Sequence, residues 1–130
     1  MDREFEKSIA ELREARNKLL SFHKILIDRE RKDLERASGG ITAGQFLNLL
    51  MTDERFEWLR TISKLVVRID EAFELDDGMP EELVIKFRRE IVAMFDETEN
   101  NIEFKGFVSE RMQGLPDADA LRQEIRALIN

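Results

Sequence analysis

Apolar residues recur at helical spacing along most of the chain. Phe5, Ile9, Leu12, Leu19, Leu26 and Leu34 stay on one face at 100° per residue and predict a first helix from Asp2 to Ala37. Ser38-Gly39-Gly40 ends it, because glycine accepts the left-handed conformation that stops a helix. At 1.5 Å per residue this helix is roughly 50 Å long, so part of it is expected to overhang the bundle or to pair with another copy of the chain. A short helix from about Thr42 to Met51 follows, carrying Phe46, Leu47 and Leu50. A longer one runs from Asp53 to about Leu75, with Thr52 as its N-cap and Asp53 and Glu54 at the positive end of its dipole.

Asp76 to Pro80 reads as a turn, and Pro80 opens a fourth helix that reaches about Glu97. A helix from Asn100 to Gln113, stopped by Gly114, and a last one from Asp117 or Ala118 to Ile129 complete the pattern. No run sustains two-residue alternation, so no strand is predicted. The expected fold class is all-α, a single domain over residues 1–130. Its architecture is an antiparallel helical bundle of about four main helices, plus one or two short C-terminal or connecting helices.

The polar residues that fall on apolar faces are the candidate chemistry. In the first helix Arg16, His23 and Glu30 lie a heptad apart within the apolar arc, and His23 is the only histidine. The third helix has an apolar arc of roughly 220°, which marks it as the central element, and Ser63 and Asp70 fall inside that arc between Leu59 and Val67. Arg88 sits at the edge of the fourth helix's stripe, between Phe95 and Val92. Because an unpaired buried charge costs several kcal/mol, these residues either reach solvent or find one another. The expectation is one buried polar cluster of Arg16, His23, Glu30, Ser63, Asp70 and Arg88. Its structural reading is an ion-pair network that fixes helix register. Its functional reading is a small-ligand or catalytic site, with His23 shuttling a proton and Arg88 holding an anion.

Composition narrows the classes. The chain is 42% hydrophobic and 38% charged, with six glycines and two prolines, which suits helices joined by short connections. The net charge of −7 divides as +1 over residues 1–40, −4 over 41–80 and −4 over 81–130, so no segment offers the cations that nucleic-acid binding requires. Cysteine is absent, which excludes disulfides and thiolate chemistry and suits the cytoplasm. The acidic, mixed N-terminus does not read as a signal peptide, and no apolar run approaches the ~18 residues of a membrane span. A cytoplasmic protein with no membrane contact is expected.

Familiar catalytic patterns are missing. Di-iron bundles need two Glu-x-x-His pairs, and here Leu20 stands where the glutamate before His23 would be; zinc sites fail on the same count of ligands. No G-x-S-x-G, G-x-x-x-x-G-K-[ST] or G-x-G-x-x-G occurs. Magnesium-dependent nucleotide pyrophosphohydrolases use paired carboxylates, and Glu11/Glu14, Glu54/Glu57, Glu71/Glu74 and Asp96/Glu99 have the spacing. A chain with 18 glutamates produces such pairs by chance, so this class stands only as an alternative, and no metal or cofactor is expected.

Trp58 is a candidate anchor for a partner, although its place in the apolar arc suits a core residue better. The run Asp28 to Arg36 is balanced in sign and reads as a solvated helix face, and the tail helix, with Leu121, Ile125 and Leu128 on one side, is expected to dock on its own bundle. Ile25 and Leu75 fall on polar faces and mark possible contact surfaces.

Residues 19–36 and 49–71 resemble a group of small uncharacterised bacterial proteins. In these a Leu-x-x-His-Lys segment followed by an acid and Glu-Arg precedes a segment of the type Asp-x-x-Phe-x-Trp-Leu-Arg-x-x-Ser-x-Leu-x-Val-x-Ile-Asp-Glu. The matching positions here are His23, Lys24, Asp28, Glu30 and Arg31, then Asp53, Phe56, Trp58, Leu59, Arg60, Ser63, Leu65, Val67, Ile69, Asp70 and Glu71. The resemblance implies a bacterial origin and a helical fold, and no activity. The expected function is a non-catalytic interaction or regulatory module, partnered by itself as a homodimer or by another protein. A small-ligand binder or enzyme built on the polar cluster is the alternative.

Overall fold

The computed structural model describes residues 3–95, 110 and 112–129. Among the described residues five helices follow the pattern above: α1 (Arg3–Ser38), α2 (Ala43–Thr52), α3 (Glu57–Phe73), α4 (Glu81–Phe95) and α5 (Pro116–Ile129), with a 3-10 turn (Glu54–Phe56) before α3. The described residues contain no strand, and the fold is all-α. The helix expected from Asn100 to Gln113 lies almost wholly outside the described residues, as does the end of the fourth helix beyond Phe95.

Local chemistry sets the boundaries. Gly39 ends α1 with φ +83°, and its N–H donates to the Glu35 carbonyl. Thr42 opens α2 through a capping box, in which its hydroxyl accepts from the Gln45 N–H while the Gln45 side chain accepts from the Thr42 N–H. Thr52, expected to cap the third helix, instead donates its hydroxyl to the Asn48 carbonyl within α2. The cap falls to Asp53, whose carboxylate accepts from the Arg55 N–H at 2.8 Å and starts the 3-10 turn.

Contacts along α1 give the direction of each neighbour. Arg16 meets Asp70 and His23 meets Leu59, so α3 runs antiparallel to α1. Glu11 meets Arg88 and Phe22 meets Phe95, so α4 runs parallel to it. Lys18 meets Glu124 and Arg29 lies beside Gly114, so α5 is antiparallel. The central element is therefore α1, which packs against α3, α4 and α5, rather than α3 as its wide apolar arc implied. Length decides this: at 36 residues, about 54 Å, α1 alone can span all three. Val67 and Leu20, both on apolar arcs, are exposed, while Trp58 is buried in the core and Ile25 is half-buried against it.

The overhang expected of α1 is short, because α2 folds back along its far end. Arg31 donates to the Ile41 carbonyl at 3.2 Å, and its guanidinium stands over the Phe46 ring. Phe46 in turn packs edge-on against Phe56, with centroids 6.1 Å apart. Arg60 completes the attachment, donating from Nη1 to the Leu50 carbonyl at 2.7 Å and to the Asp53 carbonyl at 3.0 Å. These are carbonyls at the C-terminal end of α2, which its own helix leaves without donors.

Phe22 is fully buried and meets Phe95 edge-to-face at 5.6 Å, joining α1 to α4. Phe22→Ala is expected to lower stability by about 3–5 kcal/mol in urea unfolding, and a loss under about 1 kcal/mol would remove this contact from the core. Arg60→Ala is expected to cost about 1.5–3 kcal/mol. The effect should concentrate in α2, whose amides would exchange with solvent at least about tenfold faster than those of α4 when read by hydrogen exchange.

Candidate functional site

Arg16, His23 and Glu30 occupy one edge of α1, and each faces the antiparallel α3 or the turn that leads into it. Arg16 forms a two-pronged ion pair with Asp70, Nε to Oδ1 and Nη2 to Oδ2, both at 2.7 Å. That hydrogen bond, helped by the Asp70 charge, holds the Arg16 guanidinium above its ordinary pKa. One heptad on, the His23 Nε2–H donates to the Leu59 carbonyl at 3.0 Å, which sets the tautomer of the neutral ring. A further heptad on, Glu30 acts on Arg55, whose pKa is raised first by its hydrogen bond to Asp53 and additionally by the Glu30 charge.

The six residues thus do not form one buried cluster. Successive heptad positions are about 10.5 Å apart along a helix, too far to share a partner, so each meets the opposing chain at its own level. Ser63 turns back on its own helix, donating to the Arg60 carbonyl at 3.1 Å. Arg88 lies on another side of α1, paired with Glu11 at 3.3 Å. All six are half-buried, and no polar or charged residue is buried among those described. The arrangement is a ladder of separate contacts, with Arg16 and His23 meeting α3, Arg88 on α4 meeting α1, and Ser63 bonded within α3.

Carboxylate chemistry finds no better footing. Glu11 is committed to Arg88, Glu14 neighbours Lys18, and Glu57 and Glu71 project to solvent. Asp96 and Glu99 lie outside the described residues, among which no three His, Asp or Glu side chains converge.

An open cleft of about 500 Å³ lies against the Arg16–Asp70 pair, lined also by Arg13, Asn17, Phe73 and Glu74, and two surface features stand apart from it. An open groove of about 610 Å³ separates the start of α1 from α4 and the end of α5, floored by Phe5, Val84, Ile85 and Val92. Its charges are mixed, with Arg88 and Arg89 offset by Glu4 and Glu81, so they select no ligand by sign. The other feature is α2. Its inner face carries buried Phe46 and half-buried Leu49 and Leu50, while Gly44, Leu47, Asn48 and Met51 point outward, with Leu47 56% and Met51 66% exposed. Leu47, named with Phe46 and Leu50 as an apolar residue of this helix, thus lies on the opposite side from both. The signal that marks this face in the sequence is the run Ala37 to Thr52, 16 residues without a single charge in a chain that is 38% charged.

Comparison of the chain with protein-family models, with curated proteins and with solved structures finds no match in any of the three. No helix among the described residues is long and apolar enough to cross a membrane.

Burial holds the His23 imidazole below its ordinary pKa of 6.5, and the hydrogen bond to Leu59, which raises it, offsets this only in part. Folding therefore favours the neutral ring. The stabilisation is complete above the unfolded value of about 6.5 and is lost as pH falls from there through the depressed folded value. His23→Leu is expected to match wild type within about 1 kcal/mol at pH 7.5, since the Leu59 carbonyl stays within α3. From pH 7.5 to 5.5 the urea midpoint of wild type should fall further than that of the variant; parallel curves would show that His23 is not the titrating group.

Proposed function

We propose that this chain is a non-catalytic interaction module, a small cytoplasmic helical bundle that presents α2 to a protein partner. The observation that carries the reading is the uncharged outer face of α2. Among the described residues, the exposed large hydrophobics are Leu20, Leu47, Met51, Val67, Leu75 and Ile85. Leu47 and Met51 lie one turn apart on the same helix face with no charged residue between Arg36 and Asp53, whereas Leu20, Val67 and Leu75 each sit singly among charged or polar neighbours and Ile85 lies in the groove of mixed charge between α1 and α4. An apolar surface with those properties is the usual mark of a contact site. The anchoring of α2 fits the same role, since Arg31, Arg60 and Phe46 hold the helix by its ends and inner face and leave the outer face free of internal duties. The polar ladder on α1 supplies register instead of chemistry, which is why catalysis is the weaker reading.

Exposed residues that serve recognition are dispensable for folding. The double variant Leu47→Lys/Met51→Lys is expected to stay within about 0.5 kcal/mol of wild type in urea unfolding, while binding markedly less of a dye that fluoresces on apolar surface. A loss above about 2 kcal/mol would mean that these side chains belong to the core of the chain, and the reading would fail.

A further inference from the structure

We infer that the partner on α2 is a second copy of this chain, packed with its own α2 antiparallel about a two-fold axis between Leu47 and Asn48. The inference rests on the reading of α2 as a docking face. Three features of that face favour self-pairing over a different partner.

The first is charge. Each chain carries −7, so a second copy meets like charge over much of the surface, and the neutral stretch from Ala37 to Thr52 is where two copies approach without it. The second is the polarity of the helix ends. The start of α2, capped by Thr42, is the positive end of its dipole and follows Arg36 in the chain. Its other end runs into Asp53, Glu54 and Glu57, three carboxylates against two cations, Arg55 paired with Asp53 and Arg60 bound to the Leu50 and Asp53 carbonyls, so a net negative charge remains there. A parallel pairing would set like ends together, whereas the antiparallel two-fold sets each positive end beside the acidic end of the other copy.

The third is shape. With the axis between residues 47 and 48, Gly44 of each copy stands opposite Met51 of the other. A Cβ on Gly44 would meet nothing within 4 Å in its own chain, so the space above it is open to receive that side chain. An isologous contact needs a patch that complements itself in this way. The face is about 10 Å long from Gly44 to Met51, which places the contact in the small, transient class.

Sedimentation equilibrium between about 10 µM and 1 mM tests this. Wild type should pass from monomer to dimer, and Leu47→Lys should weaken the association at least tenfold. Gly44→Leu is the second discriminating variant: its Cβ meets nothing within 4 Å in its own chain and the change favours the helix, yet it fills the space for Met51 of the other copy, so it too should weaken the dimer while the fold is kept. Because the chain has no cysteine, Leu47→Cys introduces a unique thiol that should crosslink two copies on mild oxidation, and Lys64→Cys on the exposed face of α3 should not. A wild type that stays monomeric at 1 mM, with no crosslinking through residue 47, overturns the self-pairing. If the Leu47→Lys/Met51→Lys variant is nonetheless as stable as wild type, the docking face survives and belongs to a different chain; if that variant is destabilised, both readings fall together.

Discussion

Five side chains along one face of α1, Leu12, Ala15, Leu19, Phe22 and Leu26, are wholly withdrawn from solvent, and α3, α4 and α5 reach the core by packing against them. The other helices are too short to play this part, since α3 has 17 residues, α4 has 15 and α5 has 14. A helix of such length is marginal in water by itself and depends on burying its apolar stripe against a partner. The continuity of the α1 seam is thus the constraint that lets short, highly charged helices form one core.

Charge is arranged around that seam by the same geometry. An antiparallel neighbour presents a new residue every turn, and polar side chains a heptad apart on α1 meet a succession of partners on the opposing chain. Arg16 finds Asp70, His23 finds a backbone carbonyl, and Glu30 acts on Arg55. Such half-exposed contacts contribute little to stability singly. Their contribution is specificity: sliding α1 by one turn would leave Asp70 and the His23 ring without these partners.

The outer face of α2 stands apart from this economy of paired charges. Elsewhere among the described residues, the exposed Leu20, Val67 and Leu75 are each set among charged or polar neighbours, an arrangement that disfavours association. From the end of α1 through α2 that protection is missing over 16 residues, and α2 is nonetheless fastened firmly by Arg60 and Phe46. An uncharged surface on a well-anchored helix is an arrangement suited to association, because little ordering cost remains when a partner arrives.

Helix positions, the all-α class and most of the core were legible from periodicity, because a side chain's face on a helix follows from its number and the 100° step. Gly39 as the stop of α1 and Trp58 as a core residue were legible for similar local reasons. Periodicity also placed Arg16, His23 and Glu30 on one edge, but it reports angle around a helix and says nothing about distance along it or about which neighbour stands opposite. Only tertiary packing could therefore separate the expected cluster into individual pairs, send Arg88 to Glu11, give Asp53 the cap expected of Thr52, and make α1 instead of α3 the central helix. The exposure of Leu47 and Met51 was decided at that level too, since α2 has apolar residues on both faces and the side it buries depends on where Phe56 and the end of α1 lie.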